Sequence, residues 1–133
     1  MPACGSEERY EKAAPTAKSG MIRNLTRDTI IARQPRIARS LAWRLRGMIA
    51  RDFAAFDALL FPACNAIHTW GMRIPLDVLF LDADDRVCAL RTDLRPWRVA
   101  GARRARRVVE LPTGAIGRSS TQVGDAVEIG DPD

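Results

Sequence analysis

Leu76-Asp77-Val78-Leu79-Phe80-Leu81, followed by Asp82-Ala83-Asp84-Asp85 and then by Val87-Cys88-Ala89-Leu90, is the stretch on which the fold turns. In a strand, side chains alternate between faces, so Leu76, Val78 and Phe80 share one side while Asp77, Leu79 and Leu81 share the other. Both faces are apolar apart from Asp77. This predicts a central strand with core on both sides, and it marks Asp77 as a carboxylate that must find donors or an ionic partner to offset its desolvation. The aspartates that follow are turn formers, and residues 87–90 resume a strand pattern, so the segment reads as an antiparallel hairpin. A calcium loop is a poor reading, because the sixth position from Asp82 is Val87 where such a loop needs glycine.

Working outward, short strand patterns occupy residues 21–24, 29–32, 58–61, 108–111 and 126–129, with proline and glycine interrupting them. Ile37, Leu41, Leu45 and Met48 recur at helical spacing, which predicts a short helix ending near Gly47. Residues 94–105 read as a connection across the surface. The expected fold is mostly β, a small barrel or sandwich with one short α-helix around a single core. The expected organisation is a flexible tail over 1–20, one β-rich domain over 21–129 and a short tail over 130–133.

A length of 133 residues and a hydrophobic share of 47% suit one core and leave little room for a second domain. No apolar run approaches the roughly 20 residues of a membrane helix. The polar stretch 2–20 lacks the apolar centre of a secretory signal, which favours a cytoplasmic location while remaining compatible with an exported mature domain. Cys4, Cys64 and Cys88 are too widely spaced for a Cys-x-x-Cys metal site, and no glycine-rich phosphate loop is present. No cofactor is implied. The net charge is +5, and seven arginines lie between Arg91 and Arg107 with Asp93 as the single acid among them. Charge of this kind attracts acidic partners at long range without identifying one.

The polar centre is His68-Thr69-Trp70-Gly71-Met72, followed by Ile74-Pro75-Leu76-Asp77. Gly71 and Pro75 bend the chain, which predicts a compact recess near His68 and Asp77 that Thr69 and Arg44 complete. Trp70 and Met72 are expected in the core, and Glu110 and Asp125 at the surface or in turns. Three functions compete. The leading one is a small-ligand or protein-interaction module built on Arg44, His68, Thr69 and Asp77. An enzyme would use His68 in proton transfer with Asp77 fixing the ring. A Cys64 nucleophile with His68 as base requires a helical turn that Pro62 disfavours. A basic adaptor would meet an acidic protein, or less readily a nucleic acid, through Arg98, Arg103, Arg104, Arg106 and Arg107.

Several motifs in fixed order carry a resemblance: Arg44-Leu45-Arg46-Gly47-Met48, His68-Thr69-Trp70-Gly71-Met72, the stretch from Ile74 to Asp82, and Val109-Glu110-Leu111-Pro112-Thr113-Gly114. Over residues 21–129 the chain resembles the bacterial and archaeal family called domain of unknown function 192. The resemblance implies a compact β-rich domain with a short helical element. It marks Gly47, His68, Thr69, Gly71, Met72, Asp77 and Asp82 as characteristic positions and implies no common reaction.

Overall fold

A computed structural model describes residues 20–38 and 53–130. In chain order the strands are β1 Ile22–Asn24, β2 Thr29–Ala32, β3 Pro35–Ile37, β4 Ala58–Pro62, β5 Ala66–His68, β6 Leu76–Leu81, β7 Val87–Leu94, β8 Val99–Gly101 and β9 Arg107–Pro112, then a short helix α1 Ala115–Ser119 and a last strand β10 Val127–Ile129. The centre is a five-stranded sheet in the order β3-β4-β9-β6-β7, antiparallel except between β3 and β4. Val78, Leu79 and Phe80 of β6 stand opposite Glu110, Val109 and Val108 of β9.

Alternation along β4, β6 and β9 divides their side chains between two cores. Leu60, Leu79, Leu81, Val109 and Leu111 face one side, where Ile22, Ile31, Val127 and Ile129 of the three-stranded sheet β10-β1-β2 and Ala115 and Ile116 of α1 meet them. Leu59, Phe61, Leu76, Val78, Phe80 and Val108 face the other, where Ile67 and Ala100 of the two-stranded ribbon β5-β8 cover them with Phe56 and Met72. Every residue of β6 is buried, as its nearly unbroken apolar sequence predicts. Each fully buried Leu or Phe side chain stabilises the fold by about 1.5 to 3 kcal/mol, so this doubly covered sheet dominates stability.

The mostly β expectation is met, and the layers form a sandwich-like stack; among the described residues no sheet closes into a barrel. The hairpin at 76–90 forms as read, with Asp82 Oδ1 accepting from the amides of Asp84 and Arg86 at 2.9 and 3.0 Å. Two expectations need correction. Residues 94–105, which read as a connection across the surface, contain β8, and the described helix stands at 115–119. Ile37, expected to open a helix, ends β3, where parallel pairing with Leu60 supplies its backbone partners. The rest of that expected helix, with Arg44 and Gly47, lies outside the described residues, as do the expected tails apart from Gly20 and Gly130. Among the described residues no helix is long and apolar enough to cross a membrane.

Candidate functional site

Asp77 sits on the α1 side of the central sheet, since its neighbours Leu76 and Val78 point into the opposite core. There its carboxylate is consumed by backbone amides. Oδ1 accepts from Asp93 at 2.9 Å, and Oδ2 accepts from Gly114 at 3.1 Å and Ile116 at 3.0 Å. Gly114 precedes α1 at φ 98°, a left-handed conformation, and has no side chain with which to cap the helix. A side chain there would be strained by the positive φ, while the atom its Cβ would meet, Arg118 Nη1 at 2.8 Å, ends a flexible side chain that can move aside. Asp77 therefore supplies from a distant strand the acceptor that an N-cap residue ordinarily provides.

His68 lies on the opposite side of the sheet, in the ribbon. Ile67 and Ala100 point down into the core, so the alternate residues His68 and Val99, which are paired across the ribbon, point outward. The recess expected to join His68 to Asp77 is therefore not formed. The reason is that β6 runs between two cores, and a residue at an odd position along it cannot face the layer that covers the even ones.

Thr69 follows His68, is buried, and ties two loops together. Its Oγ1 donates to the Arg95 carbonyl at 2.7 Å and accepts from the Arg98 amide at 2.8 Å. Its own amide donates to the Arg98 carbonyl at 2.8 Å, and its carbonyl accepts from Met72 at 3.2 Å and Trp97 at 3.1 Å. The Met72 bond closes a turn over residues 69–72 in which Gly71 stands at φ 79°, the conformation that a type II turn requires at its third residue. Met72 is buried below this turn, as expected, and Pro75 is half-buried just before β6.

Trp70 departs from its expected place in the core. It is 51% exposed, and its ring stacks on His68 with centroids 4.7 Å apart and planes 25° from parallel. The Trp70 amide donates to His68 Nδ1 at 3.3 Å, which orients the imidazole. Burial lowers the His68 pKa below its ordinary 6.5, which favours the neutral ring. Across the Thr69 tie stand Trp97, 66% exposed and held at φ 67°, and Val99, 65% exposed.

This face also gathers cations. Arg73, Arg95 and Arg98 are exposed in the two tied loops, and Arg103, Arg104 and Arg106 are exposed beyond the far end of the ribbon. None of these six makes an ion pair among the described residues. Arg107, expected with the adaptor arginines, is largely buried and bonds Asp85 at 2.6 Å, because the β6-β7 turn and β9 place the two side by side. Among the described residues no group of three or more His, Cys, Asp or Glu side chains could hold a metal ion.

Two acids read as surface or turn residues are buried. Asp125 accepts from Asn24 Nδ2, Arg27 Nε and the Gln122 amide at 2.9, 3.1 and 2.9 Å. Burial pushes its pKa up, and these bonds outweigh the push and hold it below the ordinary carboxylate range. Glu110 has no such compensation. It lies on β9 between Leu59 and Val78, 3% exposed, with Oε1 lacking any hydrogen-bond partner, and burial raises its pKa to about 8. Sequence reasoning missed Glu110, Trp97 and the outward aspect of Trp70. The signal for Trp97 was its position between Pro96 and Arg98 in an arginine-rich segment, an aromatic interleaved with cations.

Comparison with known proteins places the fold. The DUF192 family, described as "Uncharacterized ACR", matches residues 23–129. A UPF0127 protein of Pyrococcus furiosus is 34% identical over 110 residues, covering 79% of this chain and 94% of its own. A UPF0127 protein of Pyrococcus horikoshii is 33% identical over 113 residues, covering 81% of this chain and 97% of its own. A protein of unknown function from Novosphingobium aromaticivorans superposes with a TM-score of 0.68 at 22% identity, covering 92% of this chain and 94% of its own, a likeness of fold alone. With a match across nearly the whole β-rich unit and relatives aligned along almost their full length, the chain belongs to the DUF192 family.

Proposed function

We propose that this chain is a non-catalytic binding module whose working surface is the ribbon face of His68, Trp70, Trp97 and Val99, and that its partner carries negative charge. The supporting observation is the pair of indoles, each more than half exposed, fixed on either side of the buried Thr69 tie. Exposed tryptophans held by rigid backbone are suited to binding, because little conformational freedom is lost when a partner covers them. Among the described residues the arginines around them make no ion pair, which favours an anionic partner. A proton-transfer role for His68 oriented by Asp77 is disfavoured, since the Asp77 carboxylate is engaged by three backbone amides.

Titrating the protein at low salt with three polyanions, polyglutamate, heparin and single-stranded DNA, tests this reading. At least one should bind, and Trp70→Ala combined with Trp97→Ala should weaken that binding by about tenfold or more, the loss of more than about 1.4 kcal/mol. Failure of all three to bind, or unchanged affinity in the double variant, would overturn it.

A further inference from the structure

Resting on the binding role proposed above, we infer that the partner of the ribbon face is a single-stranded nucleic acid, its bases stacking on Trp70 and Trp97 and its phosphates meeting Arg73, Arg95 and Arg98.

The two kinds of group on this face select that chemistry jointly. His68 already stacks on Trp70 in a near-parallel arrangement, and Trp70 remains 51% exposed, so a further flat ring can extend the stack. Trp97 offers a second open ring, and the next residue, Arg98, is exposed, its guanidinium held to the backbone of the same loop with Nη1 3.4 Å from the Pro96 carbonyl and 3.5 Å from the Trp97 carbonyl. Rings alternating with cations match a strand that alternates bases with phosphates.

Other anions satisfy only half of the face. An acidic peptide would neutralise the arginines and leave the indoles to water. A duplex would present phosphates while its bases stayed stacked on one another, out of reach of Trp70 and Trp97. None of His68, Trp70, Trp97 and Val99 carries a side-chain amide or carboxylate, so binding is expected to tolerate any base sequence.

Fluorescence anisotropy of labelled 12-nucleotide single strands, one DNA and one RNA of mixed sequence, tests the inference against a 12-base-pair duplex and a polyglutamate of equal charge. At least one single strand is expected to bind about tenfold or more tightly than both competitors. Affinity should fall with added salt, because phosphate contacts release counterions. Trp70→Ala and Trp97→Ala should each weaken single-strand binding several-fold while keeping the salt slope, and Trp70→Phe should restore most of the loss, which separates lost stacking from misfolding. Arg95→Ala with Arg98→Ala should make the slope shallower by about one to two. Polyglutamate or duplex binding as tightly as the single strands would overturn the nucleic-acid inference and leave the anion-binding module standing. Binding of none of these probes, nor of heparin, would overturn both.

Discussion

Glu110 stands between Leu59 and Val78 in the middle of the five-stranded sheet, with Oε1 unpartnered in an apolar core. Burial raises its pKa from 4.5 to about 8, so the folded chain keeps this proton at pH values where the unfolded chain has released it. The stabilisation this confers is fully present below about pH 4.5 and is lost as pH rises through about 8, with a slope of at most about 1.4 kcal/mol per pH unit. His68 acts in the opposite sense, because its lowered pKa gives a contribution present above 6.5 and lost as pH falls. Urea unfolding at pH 5.5 and 8 should therefore show the parent chain losing about 3 kcal/mol between those values relative to Glu110→Gln, which has no proton to release. An identical pH dependence in the two proteins would contradict a buried, protonated Glu110.

Between elements, Asp77 is the principal fastener on the α1 side, joining β6 to the left-handed residue Asp93 near the end of β7 and to the first turn of α1. Asp77→Ala leaves three amides without their acceptor and should destabilise the fold by about 3 kcal/mol in urea unfolding. A change below about 1 kcal/mol would show that water replaces the carboxylate without penalty. The need of Asp77 for partners was legible in the sequence, since a lone carboxylate in Leu76-Asp77-Val78-Leu79 has to be satisfied. Its partners were not, because they are main-chain groups 16, 37 and 39 residues away, with no side-chain identity to read. The strands β6 and β9 were legible because each carries an apolar run long enough to show its character. The ribbon was not: β5 and β8 are three residues each, too short for any periodicity, and the whole β6-β7 hairpin lies between them in the chain. The placing of His68 and Asp77 together failed for the same reason, as nothing local shows which layer of a sandwich a bend will cover.

The whole molecule is a central sheet with two dissimilar coats. One coat, the β10-β1-β2 sheet with α1, is fastened by Asp77 and by the Asn24, Arg27 and Asp125 network, and its polar groups serve the fold. The other is a small ribbon whose inner face is apolar and whose outer face carries exposed rings beside arginines that make no ion pair among the described residues. On the proposed reading, recognition belongs to the outer face of the ribbon alone. Backbone amide NMR during titration with a 12-nucleotide single-stranded DNA measures it directly. The account predicts that the largest shift changes fall at residues 68–73 and 95–101 while the amides of Asp93, Gly114 and Ile116 stay in place. Changes centred on those three amides, with the ribbon undisturbed, would contradict it.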